Sequence, residues 1–278
     1  GIRLSFEELI RFGSIAIPII LICIASVLIL VKLIANRLKI SSKMSYLIAI
    51  GTSVCGATAI VATAPVVQAR KTEVAYAIAN ITLFGILAML LYPYFANYYF
   101  ENDPILTGLF LGTSIHETSQ VAAAGLIYDQ QFNSPETLDV ATVTKLIRNT
   151  FLVILIPLFA LLYNRGQNHG SKYSLSGIFP IFVIGFIGMI FLRNIGDQVF
   201  LSYGDSTKQW IFFIEVIQIL ATTFLTMAMA AVGLSINLSE LRDMGYKPFV
   251  VGFISAVTVG IVCIISIHIL NTYFNFFN

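Results

Sequence analysis

Two short segments of this chain begin with Gly-Thr-Ser and continue with small and polar residues. The first, residues 51–59, reads GTSVCGATA, and the second, residues 112–120, reads GTSIHETSQ. In a strongly apolar chain, a pair of Gly-interrupted segments predicts broken helices that carry unpaired backbone groups into a bilayer. Such groups are tolerated there only where they line a cavity or contact a solute. The pair therefore predicts the solute-binding site of a membrane carrier.

The chemistry expected at this site is anion binding. We expect each Gly-Thr-Ser to form the turn and the N-cap of a half-helix, with hydroxyl oxygens and unpaired N–H groups at the helix start. Because a helix N-terminus carries partial positive charge, two facing N-termini favour an anion. An alternative is that the small residues only permit close helix packing. The predicted substrate-binding residues in the two segments are Gly51, Thr52, Ser53, Cys55, Gly56, Gly112, Thr113, Ser114, His116 and Gln120.

Two cations lie inside the apolar run 137–163. Lys145 and Arg148 are three residues apart and so share one helical face. Ionisable groups at such depth are costly and usually face a cavity or a partner. The sequence predicts that they clamp the anion, with Arg as a planar fork and Lys as a point charge. Alternatively, the helix begins later and both side chains snorkel to the headgroups.

Titratable groups beside these segments are candidates for coupling. His116 and Glu117 begin the second half-helix, where a proton acceptor could couple proton movement to transport. The alternative is an ion pair with Lys145 or Arg148 that only neutralises charge. A His-Glu pair without a second His forms no zinc motif, so no metal is predicted.

A further carboxylate lies on another apolar run. Glu215, Gln218 and Thr222 form a polar stripe at i, i+3 and i+7 in the run 207–231. The stripe predicts either a pathway wall with Glu215 as a coupling group or an interhelical contact.

Composition limits the class of protein. The 278 residues are 58% hydrophobic and 11% charged, with a mean hydropathy of +0.88, which predicts several membrane spans. A net charge of +2 gives no reason to expect nucleic-acid binding. The three cysteines form no metal or disulfide pattern, and we expect buried reduced thiols. Without a nucleophile–base pair, a metal set or an ATP-binding loop, neither an enzyme nor a bound cofactor is predicted.

The elements that position these residues are membrane helices. A span needs about 20 helical residues. The predicted fold is one all-α polytopic domain, residues 1–278, with the inverted-repeat plan of secondary transporters and two broken helices. The segments near 45–65 and 104–125 are predicted to re-enter the membrane rather than cross it. The six predicted spans lie near residues 12–35, 72–97, 137–163, 174–192, 207–231 and 248–272.

Loop charges give the predicted orientation. The positive-inside rule places the loops that carry Lys and Arg in the cytoplasm and leaves the C-terminus outside. This arrangement requires both Gly-Thr-Ser segments to re-enter, from opposite faces, so that their tips meet near the midplane. The predicted cytoplasmic loops are 36–45, 65–71, 164–173 and 232–247.

A short internal similarity supports the inverted repeat. Residues 1–9 read GIRLSFEEL and residues 233–241 read GLSINLSEL. An odd number of predicted crossings separates them, so the two copies fall on opposite sides. The second copy follows a span and the first does not, which predicts at least one further N-terminal helix before this chain.

At these residues the chain resembles the sulfate exporter (PSE) family, the YeiH-like bacterial membrane proteins. The resemblance covers essentially the whole chain and is carried by GTSVCGATA, VAYAIA (74–79), SIHETSQV (114–121) and KLIR (145–148). Glu117 stands where the family often has Asp, and Ser119 where Ala is common, so the carboxylate is placed differently. The resemblance implies an inner-membrane protein that exports sulfate or sulfite.

The predicted function is a secondary transporter of a small anion by alternating access, in the export direction. Its cargo is expected to be sulfate, sulfite, a related sulfur oxyanion or an organosulfonate. The expected partners are this anion, the lipid bilayer, H⁺ or Na⁺ as coupling ion, and further copies in a homo-oligomer. The alternative is a Na⁺- or H⁺-coupled carrier of another organic anion or of a cation, with the carboxylates binding the coupling ion.

Overall fold

The protein is an all-α polytopic membrane protein. The computed structural model describes residues 6–165, 181–200, 207–234 and 245–274, which form eleven helices. They are α1 (Phe6–Leu38), α2 (Ser42–Ser53), α3 (Ala57–Thr63), α4 (Lys71–Tyr99), α5 (Pro104–Ser114), α6 (Thr118–Phe132), α7 (Pro135–Thr150), α8 (Leu152–Arg165), α9 (Ile181–Phe200), α10 (Thr207–Leu234) and α11 (Lys247–Phe274).

Four helical stretches in the described ranges are long and apolar enough to cross a membrane. α7 and α8 lie end to end and make one of them. The runs predicted near 12–35, 72–97, 137–163 and 248–272 fall on these stretches. The runs near 174–192 and 207–231 fall on α9 and α10, apart from residues 174–180, which lie outside the described residues. The four stretches are Gly13–Leu38, Lys71–Tyr99, Pro135–Tyr163 and Lys247–Thr272.

α2 and α3 form the first hairpin (residues 42–69), whose two ends lie at the same end of the helix bundle. Near the start of α2, Lys43 donates a hydrogen bond of 2.6 Å to the carbonyl of Gln68, beyond α3. Beside it, Ser41 donates to the Glu73 carboxylate in the first turn of α4, at 2.8 Å. The two ends of the hairpin therefore lie side by side, and residues 52–57, around the turn at 54–56, form the first tip.

α5 and α6 form the second hairpin (residues 104–132), which is built in the same way. Asp103 caps α5 by accepting two backbone N–H groups, and Pro104 occupies the first turn, where its missing N–H is harmless. Tyr128, near the end of α6, donates to the side-chain oxygen of Asn97 near the end of α4, at 3.0 Å. The end of α6 has therefore returned to the end of the bundle at which α5 began, and residues 113–118, between the two helices, form the second tip.

α4 sets the two hairpins on opposite sides. Its 29 residues span about 43 Å at 1.5 Å per residue, more than the roughly 30 Å of a hydrocarbon core. The first hairpin opens beside the start of α4 and the second beside its end. The segments predicted near 45–65 and 104–125 fall within these two hairpins, and their re-entry into the membrane stays a prediction.

The remaining helices hold the hairpins. α11 runs beside α4, since Tyr76 donates to the carbonyl of Gly245 (2.8 Å) and the buried Asn80 amide donates to that of Pro248 (2.9 Å). α9 and α10 pack against each other through a separate small cluster around Trp210 and Ile214. The similar segments 1–9 and 233–241 lie largely outside the described residues, so the sequence repeat stays a prediction.

Thiol labelling tests the hairpin topology. A membrane-impermeant maleimide should label Ser42→Cys and Gln68→Cys from one face of sealed vesicles, and Glu101→Cys and Gln131→Cys from the other. Cys23, Cys55 and Cys263 are buried and should stay unlabelled in the unaltered chain, which is the control. Labelling of Ser42→Cys and Gln68→Cys from opposite faces would show that the first segment crosses the membrane.

Candidate functional site

The tips of the two hairpins meet against α7, where both buried cations lie. Lys145 is 0% and Arg148 1% exposed. Because α7 begins at Pro135, Lys145 lies nearly three turns inside it. The snorkelling alternative is therefore excluded, since neither side chain reaches the surface.

Lys145 binds backbone carbonyls of both tips. Its ammonium group donates to the carbonyls of Val54 (2.8 Å) in the first tip, and of Ile115 (2.9 Å) and His116 in the second. These three bonds use the three donors that an ammonium group has.

Arg148 joins the same two tips through its guanidinium fork. Nε donates to the carbonyl of Ser53 (2.8 Å) and Nη2 to that of Thr52, both in the first tip. Nη1 donates to the carbonyls of Thr113 (2.6 Å) and Ile115 (3.1 Å) in the second. A planar group with donors along two edges can bridge two hairpins in this way, which a point charge cannot do.

These contacts correct one prediction about the two Gly-Thr-Ser tripeptides. Gly51–Ser53 ends α2 and Gly112–Ser114 ends α5, so the prediction that each one starts a half-helix was wrong. The start signals lie about ten residues earlier, at Ser41 and at Asp103-Pro104. The last turn of a helix presents unpaired carbonyls with partial negative charge, which attract cations rather than anions.

The helix starts at the tips are bound by a carboxylate of the protein itself. Glu117 is the N-cap residue of α6, and its Oε1 also accepts the N–H of Ala57, the first residue of α3. Its own N–H donates to Gln120 Oε1 at 3.3 Å, which completes a capping box. One carboxylate thus caps both hairpins, and among the described residues no ion pair joins it to Lys145 or Arg148.

Several of the other predicted binding residues have structural partners. Gln120 donates to the carbonyl of Thr82 (3.2 Å), which fixes the second hairpin on α4. The Thr52 hydroxyl lies 3.4 Å from that of Ser255 in α11, and Ser114 donates back to Phe110 at 2.5 Å. Cys55 is a buried free thiol in the first tip.

A group of buried polar atoms at the tips has no hydrogen-bond partner. Both ring nitrogens of His116, which is 1% exposed, belong to it, together with the hydroxyls of Ser53, Thr113 and Thr144. Unpaired buried polar groups are uncommon in folded proteins. A polar solute between the tips is one group that would satisfy them. Thr144 is not among the residues predicted from the sequence, although it lies four residues before Arg148 on the same face of α7.

Glu215 is not part of this arrangement. Its side chain is exposed on α10, which packs against α9, and Gln218 is half-buried. The side chain of Thr222 lies outside the described residues. The structure therefore brings His116 and Glu117 to the cations and leaves Glu215 away from them.

The site has an excess of positive charge. Two helix C-termini and two helix N-termini meet there, and their partial charges of roughly −0.5 and +0.5 cancel. Lys145, Arg148 and Glu117, counted at their ordinary charges, then leave about one positive charge in a buried place. Over the described ranges, no group of three His, Cys, Asp or Glu side chains could hold a metal ion.

Comparison with known proteins shows that the chain is similar to bacterial membrane proteins. The family described as "Conserved hypothetical protein 698" matches residues 1–252. A UPF0324 membrane protein of Fusobacterium nucleatum is 35% identical over 279 residues, covering 96% of this chain and 80% of the relative. A UPF0324 membrane protein of Streptococcus agalactiae is 34% identical over 253 residues, covering 91% and 72%. No solved structure matches the chain.

The turn at Gly56 gives a direct stability test. Its φ of 63° suits glycine, and a Cβ there would collide with the Glu117 carboxylate. Gly56→Ala should lower the unfolding free energy by at least about 1–2 kcal/mol, the cost of a left-handed backbone in an L-residue. Thermal unfolding of the purified protein in detergent measures this change.

Gly188→Ala is the matched control. Gly188 lies in α9, and a Cβ there would meet nothing within 4 Å. This change should be neutral or stabilising by up to about 1 kcal/mol, because alanine favours a helix. Equal effects of the two substitutions would show that Gly56 and Glu117 do not meet as described.

Proposed function

This chain belongs to the family described as Conserved hypothetical protein 698, and on that premise we propose that it is a secondary transporter of a small anion. One observation carries the proposal: two buried cations and one carboxylate lie where two broken helices from opposite sides meet. Broken helices that meet inside the membrane form the substrate sites of many secondary transporters. The excess positive charge favours an anionic cargo.

The cargo class that best fits these groups is a sulfur oxyanion. Sulfate, sulfite and organosulfonates present several oxygen acceptors, and charge-assisted bonds from Arg and Lys to such oxygens are strong. The hydroxyls of Ser53 and Thr144 and the ring of His116 supply further polar groups without partners. The resemblance to sulfate exporters agrees with this class and adds export from the cytoplasm as the direction.

Transport would follow from competition for the same donors. In the conformation described, Lys145 and Arg148 donate to tip carbonyls, which holds the hairpins together. An anion between the tips would take over some of these donors and so weaken the contact between hairpins. A ligand shifts a conformational equilibrium only by binding its states differently, and this exchange of donors supplies such a difference.

The proposed setting is the bacterial inner membrane. The ends of the first hairpin and the starts of α4 and α11 share one side, which we assign to the cytoplasm from their basic residues. The end of α11 then lies outside. A homo-oligomer is part of this proposal.

A second candidate is supported by Glu117. A carboxylate at the starts of α3 and α6 could bind a proton or Na⁺, and the protein would then be an ion-coupled carrier of another organic anion or of a cation. Transport driven by anion exchange alone supports the first candidate. Transport that needs a Na⁺ or H⁺ gradient and no sulfur oxyanion supports the second.

Proteoliposomes with radiolabelled sulfite and sulfate test the carrier proposal. The wild type should exchange labelled for unlabelled anion, and Arg148→Lys should raise KM at least about tenfold, a loss of about 1.4 kcal/mol. Lysine keeps the charge but cannot bridge four carbonyls. Arg193→Lys, at a partly exposed ion pair with Asp197, is the matched control and should leave KM unchanged.

Two carboxylate substitutions, one at the tips and one on α10, test the coupling role of Glu117. Glu117→Gln keeps the shape and an acceptor oxygen for Ala57 but removes the charge. It should abolish accumulation driven by a proton gradient and leave anion exchange measurable. Glu215→Gln changes an exposed carboxylate on α10 and should behave like the wild type. If Glu117→Gln accumulates anion normally, Glu117 is not the coupling group.

A further inference from the structure

A second cluster of cations surrounds a cavity at the open end of the first hairpin. The cavity has a volume of about 290 Å³ and lies between the α1–α2 connection, the start of α4 and the start of α11. The groups that matter for what it could bind are Lys39, Ser41, Arg70, Thr72, Glu73 and Lys247. An adjoining cavity of about 360 Å³ shares Ser41, Arg70 and Glu73 with it.

The cations of this cluster have no carboxylate partner among the described residues. Lys39, Arg70 and Lys247 come from three separate places in the chain, and all three are exposed. Their side-chain nitrogens are all more than 4 Å from any described carboxylate. Their positive charges therefore line one cavity without an ion pair among the described residues.

The Glu73 carboxylate, which lines the cavity, already accepts two hydrogen bonds. Glu73 is 7% exposed, and its Oε1 accepts the hydroxyl of Ser41 while its Oε2 accepts the N–H of Arg70 at 2.9 Å. It closes the hairpin end rather than pairing with a lysine. Counted over the lining residues that the structure describes, three cations and one carboxylate leave about two positive charges.

The backbone adds to the positive electrostatic potential of the cavity. α2 begins after Ser41, α4 after Arg70 and α11 at Lys247, so three helix starts border the same cavity. Each start carries partial positive charge, although Ser41 already accepts the N–H of Met44 and Glu73 that of Arg70. The hydroxyl of Thr72 adds a donor that an oxyanion can contact, whereas that of Ser41 is already donated to Glu73.

We infer that this cavity is a second anion site, separate from the hairpin tips, which takes a phosphate or sulfate group. The same chemistry has two sources, a free oxyanion in solution or the phosphate of an anionic lipid headgroup. The inference does not depend on transport, because it rests on the cavity and its cations. The site lies where both ends of the first hairpin meet α4 and α11, so a bound anion would bridge these elements.

Lysine reactivity tests the inference at the level of single residues. The full chain in phosphatidylcholine nanodiscs is acetylated with an N-hydroxysuccinimide ester, with or without inorganic phosphate at matched ionic strength, and the products are mapped by mass spectrometry. At about ten times its Kd, phosphate should slow the acetylation of Lys39 and Lys247 about tenfold. Lys208, exposed in the first turn of α10, is the internal control and should not be protected.

A second arm distinguishes the two sources. Nanodiscs containing phosphatidylglycerol, without added phosphate, should protect Lys39 and Lys247 if the lipid headgroup is the ligand. Protection by inorganic phosphate alone assigns the site to a free oxyanion. If neither protects, or if Lys208 is protected equally, the inference is overturned.

The variant Arg70→Gln completes the test. It removes one cation but keeps the backbone N–H that Glu73 accepts, so the hairpin end should stay folded. Protection of Lys39 and Lys247 should be lost in Arg70→Gln and kept in the control Lys208→Gln. Full protection in Arg70→Gln, with an unchanged melting temperature, would also overturn the inference.

Discussion

The bonds from Lys145 and Arg148 to the carbonyls of the two hairpin tips are the constraint on which the rest depends. Each hairpin ends its first helix in the middle of the protein, where water cannot satisfy the last carbonyls. The two side chains satisfy carbonyls from both tips at once, and in return the carbonyls make burial of the two cations tolerable. Removing either cation would therefore leave buried acceptors unpaired in both hairpins.

The helix starts at the two tips are stabilised in the same way, but by a negative charge. The helices that leave the tips begin with unpaired N–H groups, and Glu117 accepts them for α3 and α6 together. Lys145 and Arg148 thus bind helix ends, and the Glu117 carboxylate binds helix starts. Both kinds of contact hold the two hairpins together. Gly56 allows this approach, because a side chain there would occupy the place of the Glu117 carboxylate.

Much of this arrangement can be predicted from the sequence. The error about the Gly-Thr-Ser tripeptides, which end helices rather than start them, has a physical cause. Glycine spacing, loop charge and the buried pair at Lys145 and Arg148 suffice to predict two interrupted segments beside a charged helix. They do not tell whether a polar tripeptide starts or ends a helix, because Gly, Thr and Ser occur at both places. The signals that decide this are the N-cap residues Ser41 and Asp103, which lie at the opposite ends of α2 and α5 from the tripeptides. For Glu215, periodicity predicts the helical face on which it lies but not which helix packs against that face.

Anomalous scattering from selenate shows directly whether an anion binds between the hairpin tips. Selenate has the shape and charge of sulfate, and its selenium can be located in crystals of the protein. We expect an anomalous peak between residues 52–57 and 113–118, within hydrogen-bond distance of Lys145 or Arg148. Peaks found only elsewhere, with both cations still bound to the tip carbonyls, would contradict this expectation.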